Sequence, residues 1–373
     1  MTRPLRVALV TNIPAPYRIP VLECLASQQG CALHVVYCSG IEPDRAWQLP
    51  QGAFEATYLR PRFLTFRGRY VHINPDVWAA LGKAKPDVVI TTGFNPTHLL
   101  AFAWARLHGK VHVAMTDGTW TSEQQLSGVH RLLRRVVYAG SGAFIGASEG
   151  SMALYRSYGL SDAKLFKSHL CANNAVFSST HTEPRVHDLL VAGRIVAGKN
   201  PLFALAVAQR LAQRMQRPVS IAFLGSGEME AEVRAAAAKL PPDRVQVTFL
   251  GFAQQHSLPA HYARARVLLF PTTNDTWGVV ANEACAAGVP VIVTPEAGVS
   301  GDLVVDGING RVMSMDVEAW AQASEQLLRD EALYDRMSQA ARERVAAYNF
   351  DAAADGIWQA VLTAVHAAAG RGA

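Results

Sequence analysis

The stretch from Asn274 to Thr294 reads N-D-T-W-G-V-V-A-N-E-A-C-A-A-G-V-P-V-I-V-T. Just before it, the apolar run Val267 to Phe270 ends at Pro271. Within it, a small-residue helix over Ala281 to Ala287 stops at Gly288 and gives way to an apolar strand, Val291 to Val293. Strand, loop, helix, strand is a βαβ unit. Its first loop belongs at the carboxyl edge of a parallel sheet, where open α/β folds bind ligands. That loop holds Asp275, and Glu283 follows about two helical turns on. A helix cannot satisfy its own first N–H groups, so the amides of Trp277, Gly278 and Val279 are expected to be free to meet an anion or a hydroxyl-rich ligand.

Working outward, the same alternation recurs. Strand Leu189 to Ala192 runs into G-R-I-V-A-G-K-N-P (Gly193 to Pro201), strand Val219 to Leu224 into Gly225-Ser226-Gly227-Glu228, and strand Val245 to Leu250 into Gly251-Phe252. G-S-G-E-M-E lacks the third glycine of a dinucleotide fingerprint, which leaves an NAD site weakly supported.

Taken together, these segments resemble the family 4 glycosyltransferases. Trp277 to Ala284 with Ala287 to Ile292 follows W-G-x-x-x-N-E-A and then G-x-P-V-I; Gly193 to Lys199 follows G-R-x-x-x-x-K; Asn174 to Val176 and Asp306 to Gly310 follow N-x-V and D-G-x-N-G. The resemblance implies an α/β chain of two Rossmann-like domains facing each other across a cleft (GT-B type), with a C-terminal helix crossing back to the first domain. It implies retaining transfer from a UDP- or GDP-linked sugar. It also implies that Glu283 holds the ribose hydroxyls and that Asp275, where the family usually has Glu, touches the transferred sugar. Arg194 and Lys199 would bind the donor diphosphate, and Gly193, Gly225, Gly251, Phe252, Thr276, Trp277, Gly278 and Val279 would surround the donor. The chemistry asks for such cations. Breaking the bond to the sugar leaves negative charge on the β-phosphate, and without a metal fixed cations must stabilise it. No D-x-D motif stands at an expected strand end in this half, so neither a metal nor a cofactor is expected.

Composition is compatible with this. At 373 residues, 50% hydrophobic and 17% charged, the chain is long enough for two domains. A net charge of +5 suits an anionic substrate or an acidic membrane surface, whereas nucleic acid lacks its dense basic stripe. Five cysteines (Cys24, Cys31, Cys38, Cys171, Cys285) without C-x-x-C spacing argue for reduced thiols in a cytoplasmic protein. Neither a secretory signal nor a run of roughly 20 apolar residues is seen.

The first half begins with strand Arg6 to Val10 and the loop T-N-I-P-A-P-Y-R (Thr11 to Arg18), a ligand-facing position after a first strand. It either shapes an acceptor pocket, with Tyr17 and Arg18 as polar handles, or serves as a rigid connector. Ser39 to Asn74 reads as an irregular aromatic-basic stretch (Trp47, Tyr58, Arg60, Arg62, Arg67, Arg69, Tyr70) whose arginines could hold a phosphate-bearing acceptor such as a lipid-linked sugar. Alternation resumes with strands Asp87 to Thr91, Lys110 to Met115 and Ala143 to Ala147. The turn Thr116-Asp117-Gly118-Thr119 stands where the family often carries a histidine near the reacting carbon, which makes Asp117 a catalytic candidate with His98 on the neighbouring turn. Helix Gln125 to Tyr138 sets Val129, Leu132, Leu133, Val136 and Val137 among arginines. That pattern serves core packing, or peripheral docking at the inner face of an anionic membrane.

The expected domains are residues 1–180 on the acceptor side, 181–348 for the nucleotide sugar, and 349–373 as the returning helix and tail. The expected function is a retaining glycosyltransferase acting on a glycan or lipid-linked acceptor in bacterial-type glycan, glycolipid or polysaccharide synthesis. Two alternatives stand beside it: a nucleotide-sugar epimerase of the same design, and a catalytically silent nucleotide-sugar-binding protein.

Overall fold

The computed structural model describes residues 3–43, 47, 52–66, 69–124, 126–179 and 184–370. The chain divides into two compact units, Met1–Leu170 with Phe350–Ala373, and Cys171–Asn349. The division falls ten residues before the expected position 180, and side-chain tethers account for the difference. Asn174 Nδ2 donates to the carbonyls of Val345 and Tyr348, and Phe177 packs edge-on against Tyr262 at 5.6 Å. The segment expected to close the first domain is therefore tied to the second. Residues 180–183, at the expected boundary between the domains, lie outside the described residues.

The first unit is built on a parallel sheet of β1 (Leu5–Thr11), β2 (Cys31–Tyr37), β3 (Glu55–Tyr58), β6 (Val88–Thr91), β7 (Val111–Thr116), β8 (Ala143–Gly146) and β9 (Leu165–Lys167), in the order β3-β2-β1-β6-β7-β8-β9. Strands β4 (Phe63–Phe66) and β5 (Arg69–His72) pair separately as an antiparallel hairpin. The stretch read as irregular thus supplies an edge strand and a hairpin. Strand β3 was hard to see because an edge strand needs no apolar run: Glu55, Ala56 and Tyr58 are exposed. Central strands read clearly because parallel strands are covered on both faces. Val7, Ala8, Leu9 and Val10 are all within 2% of complete burial.

The second unit carries β10 (His187–Ala192), β11 (Val219–Leu224), β12 (Val245–Gly251), β13 (Ala265–Phe270), β14 (Val291–Val293) and β15 (Gly310–Val312), ordered β12-β11-β10-β13-β14-β15. Strand β15 runs parallel to β14, so the D-G-x-N-G segment is a tight turn into an edge strand. Asn309 builds that turn, accepting from the Val305 amide and donating to the Leu303 carbonyl. In both units the strand order reverses beside the first strand, at β1/β6 and at β10/β13. Such switch points leave a crevice at the carboxyl edge of the sheet.

The final helix, Phe350–Ala369, groups with the first unit. Gly356 lets it approach, since a Cβ there would stand 1.7 Å from the Lys167 carbonyl oxygen, and Ile357 and Val361 are buried. No cysteine is in a disulfide.

Candidate functional site

The switch point of the second unit gathers the turns that follow β10, β11, β12 and β13. The first three interlock through their backbones: Gly193 N–H donates to Leu224 O, Ile195 N–H to Ser226 O, and Gly225 N–H to Gly251 O, all within 3.0 Å. Glycine is required for this. A Cβ on Gly225, whose φ is +142°, would sit 1.9 Å from Gly193 O, and one on Gly227 would sit 2.3 Å from Ile195 O. Gly251 has φ +72° and is followed by a solvent-facing Phe252. The G-S-G turn is therefore shaped first by contact with the Gly193 loop.

Lys199 is placed by a pinned turn. The 3-10 turn Ala197–Lys199 is held to the end of β13 by Thr273 N–H and the Thr272 hydroxyl, both donating to Gly198 O, and by Asn200 Nδ2 donating to Pro271 O. Lys199 Nζ lies 4.7 Å from the centre of the Phe270 ring and donates to Asp275 Oδ2. Asp275 Oδ1 in turn accepts the Trp277 amide at 3.1 Å. Cation, carboxylate and the approach to helix Val279–Ala286 therefore meet at one point. Gly193 lies against the same helix, a Cβ there being 3.8 Å from Val280 Cγ1, and Arg194 follows with its side chain exposed.

One expectation is corrected here. Trp277 is not a donor-facing residue: its ring is fully buried, its indole N–H donates to Asn282 Oδ1 at 2.7 Å, and its amide is taken by Asp275. The W and N of the motif thus hold each other, and the Trp277 amide is already taken where the helix begins. The loop 295–301 is bonded to this segment by Gly298 N–H to Asp275 O and Val299 N–H to Trp277 O. Gly298 lies so close that a Cβ would stand 2.0 Å from the Thr276 carbonyl oxygen. Gly278 (φ +111°) leaves room for the Phe270 ring, which a Cβ would meet at 2.3 Å.

Glu283 lies on the first turns of the helix, 7% exposed. Burial pushes its carboxyl up from 4.5 to about 7, a hydrogen bond from Tyr262 working the other way. The Tyr262 hydroxyl donates to Oε2 at 2.5 Å. Nothing local in the sequence pairs Tyr262 with a residue 21 positions on. Its role in orienting Glu283 is visible only in three dimensions.

In the first unit, the candidates Tyr17, Arg18 and Asp117 come together around a cavity of about 230 Å³ at the β1/β6 switch point. Arg18 Nη2 donates to Asp117 Oδ1 at 2.6 Å and Nη1 to Ser168 Oγ at 3.4 Å. Tyr17 meets Trp47 edge-on at 6.3 Å. Glu42, absent from the sequence reading, lines the same cavity, held by His72 Nε2, which donates to Oε1 at 2.9 Å. His98 does not belong to this group. It is 2% exposed beneath the Gly93 turn, and burial holds its imidazole down at about 3, so it is a neutral core residue. Arg60 and Arg62 are exposed and do not line the cavity, while Arg67 and the side chain of Arg69 lie outside the described residues.

Residues 177–344 match the family model for Glycosyl transferases group 1, so the second unit carries a domain of that glycosyltransferase family, as the resemblance implied. The chain is 30% identical over 218 residues to a glycogen synthase of Mycobacterium tuberculosis, covering 57% of this chain and 50% of the relative. It is 34% identical over 168 residues to a D-inositol 3-phosphate glycosyltransferase of Pseudarthrobacter chlorophenolicus, covering 43% and 39%. The chain thus spans about half or less of the curated relatives it matches. Its fold is similar to that of Anabaena HepE solved with UDP (TM-score 0.74, 14% identity, 96% of this chain and 100% of that one). It is also similar to sucrose-phosphate synthase from Thermosynechococcus elongatus (TM-score 0.72, 18% identity, 98% and 100%). Both establish two parallel-sheet α/β domains of GT-B type.

Proposed function

We propose that this chain transfers a sugar from a nucleoside-diphosphate sugar to an acceptor hydroxyl with retention of anomeric configuration, without a metal or other cofactor. The observation that carries the reading is the meeting of Lys199, Asp275 and the start of helix Val279–Ala286 beside a buried Glu283. In this reading Glu283 takes the ribose hydroxyls and Asp275 a hydroxyl of the transferred sugar, while Lys199 and Arg194 hold the diphosphate. As the bond to the sugar breaks, the two cations stabilise charge on the β-phosphate, which receives the acceptor hydroxyl's proton on the face that the acceptor attacks. Structural neighbours solved with UDP and UDP-glucose support a uridine donor.

The test begins with UDP, GDP and ADP in a thermal-shift titration. A ligand at 100 times its Kd stabilises the native state by about 2.7 kcal/mol, and UDP is expected to give the largest shift. Following nucleotide release from the matching sugar donor, with and without sugar acceptors, then separates transfer from epimerisation and from silent binding. Absence of any shift with all three diphosphates would sink the reading.

The protein is further proposed to work in the cytoplasm at an anionic membrane surface, toward glycan or lipid-linked acceptors. Among the described residues no helix is long and apolar enough to cross a membrane. The apolar stripe of helix Gly128–Ala139, read in part as core, faces outward at Val129 (67% exposed), Leu132 (60%) and Val136 (53%), with Arg131 and Arg135, one turn apart, exposed along one side of it. The opposite face is anchored by Val137, Tyr138 and a buried Arg134–Glu123 pair at 2.7 Å. An apolar ridge flanked by arginines suits a bilayer rich in acidic lipid. Sedimentation with vesicles containing phosphatidylglycerol should fall by at least about tenfold in Leu132→Glu/Val136→Glu, whose exposed positions leave the fold intact; equal binding by variant and parent would refute the docking face.

A further inference from the structure

Among the described residues, the first unit's cavity is lined by one cation and two carboxylates, and that balance says what they can hold. Arg18 is committed to Asp117 at 2.6 Å, with a longer contact to Ser168. Glu42, 8% exposed, presents a second acidic group on the same wall. A phosphate site needs uncompensated guanidinium or amide donors, because a dianion brought beside a carboxylate in a poorly hydrated pocket is repelled. This cavity has no spare positive charge among its described lining residues. The exposed Arg60 and Arg62 supply none, since they stand outside it.

What the cavity does offer is acceptor oxygens and aromatic surface. Tyr17 and Trp47 stand edge to face, supplying flat apolar faces of the kind that pack against the C–H side of a sugar ring. Glu42, Asp117 and Thr92 supply oxygens, and the Arg18–Asp117 pair can share its donors and acceptors with hydroxyls as water does. A cavity of about 230 Å³ is large enough to admit one small ring. Glu42 is fixed in place: His72, itself fully buried, donates to one carboxylate oxygen. A carboxylate held this way accepts hydrogen bonds from vicinal hydroxyls with little further loss of side-chain entropy.

From this we infer that the cavity binds a neutral, polyhydroxylated ring, the terminal sugar of the acceptor, with Glu42 as its hydroxyl-binding carboxylate. The inference rests on the proposed transferase reading and narrows its acceptor from phosphate-bearing to neutral at this subsite. Any phosphate or lipid portion of an acceptor would lie elsewhere.

The test uses the full chain with saturating UDP. Saturation-transfer NMR compares methyl glucoside, galactoside and mannoside with the corresponding hexose 6-phosphates. At least one neutral glycoside should bind, its 6-phosphate at least about tenfold more weakly, and Glu42→Gln should weaken the glycoside about tenfold or more while UDP affinity is unchanged. Trp47→Ala serves as the second variant should Glu42→Gln fail to fold, with the same expectation. Preferential binding of the phosphates, no binding of any glycoside, or parent-like glycoside binding in the folded variant would each overturn the inference with UDP binding intact. Loss of UDP binding in the parent chain would instead strike the functional reading itself.

Discussion

Lys199→Ala is expected to lower kcat for sugar transfer by about 10² to 10³-fold while leaving the fold in place, the range seen when one preorganised donor to a developing oxyanion is removed. Without donor, Lys199 neutralises Asp275 and rests over Phe270. The turn that carries it is pinned through Gly198 O and Asn200 independently of the lysine side chain, so truncation should leave the turn in place. The incoming diphosphate competes with Asp275 for the same ammonium. If Lys199 serves the leaving group, Lys199→Ala loses nucleoside-diphosphate affinity and turnover together, whereas Asp275→Asn, which frees the lysine, keeps or gains diphosphate affinity and loses turnover alone. If the pair is only a structural clamp, the two variants behave alike. Calorimetric titration with the diphosphate and a transfer assay on both variants decide between these outcomes; a Lys199→Ala enzyme within about threefold of the parent would place the leaving-group charge elsewhere.

How far the sequence could be read depended on whether a feature was local. The βαβ unit from Val267 to Val293, the glycine turns and the apolar central strands were legible because parallel strands buried on both faces leave continuous apolar runs. Edge strand β3 was not, since its residues are mostly exposed and polar. Within the motif, spacing identified Trp277 and Glu283 but could not distinguish their uses. The indole turns inward to Asn282, while the carboxyl remains 7% exposed. The helix-opening amides were read as free because a helix start leaves them so, but Asp275, two residues upstream, folds back onto the first of them. His98 is a candidate by its place on the turn neighbouring Asp117 and a core residue by packing. The partners Tyr262 for Glu283 and His72 for Glu42 lie 21 and 30 residues away, on different elements. No periodicity encodes such pairs.

Glu283→Gln is expected to separate stability from function, with a sign set by pH. The folded protein holds the Glu283 carboxyl at about 7 against an ordinary 4.5, because burial penalises the charged form. Below about pH 4.5 folded and unfolded chains both carry the proton. Between 4.5 and 7 only the folded protein does, so the contribution of this group to stability declines as pH rises, by on the order of 3 kcal/mol in all, and is flat above 7. Glutamine keeps an acceptor for the Tyr262 hydroxyl and never ionises. The variant should therefore melt about 5 to 10 °C above the parent at pH 8.5 and show little difference at pH 5. Function should move the other way. Two ribose hydroxyls donating to a charged carboxylate favour its ionised form, so nucleotide binding at pH 7 should release about half a proton per site in the parent and none in the variant. Losing charge-assisted hydrogen bonds worth about 1.5 to 3 kcal/mol should weaken the nucleotide roughly ten- to hundredfold. Melting curves across pH, and calorimetry in two buffers of different ionisation enthalpy, test both halves. A variant less stable than the parent at alkaline pH would show that Glu283 is ionised and satisfied without ligand. Proton-neutral nucleotide binding by the parent would show that the ribose is held by another group.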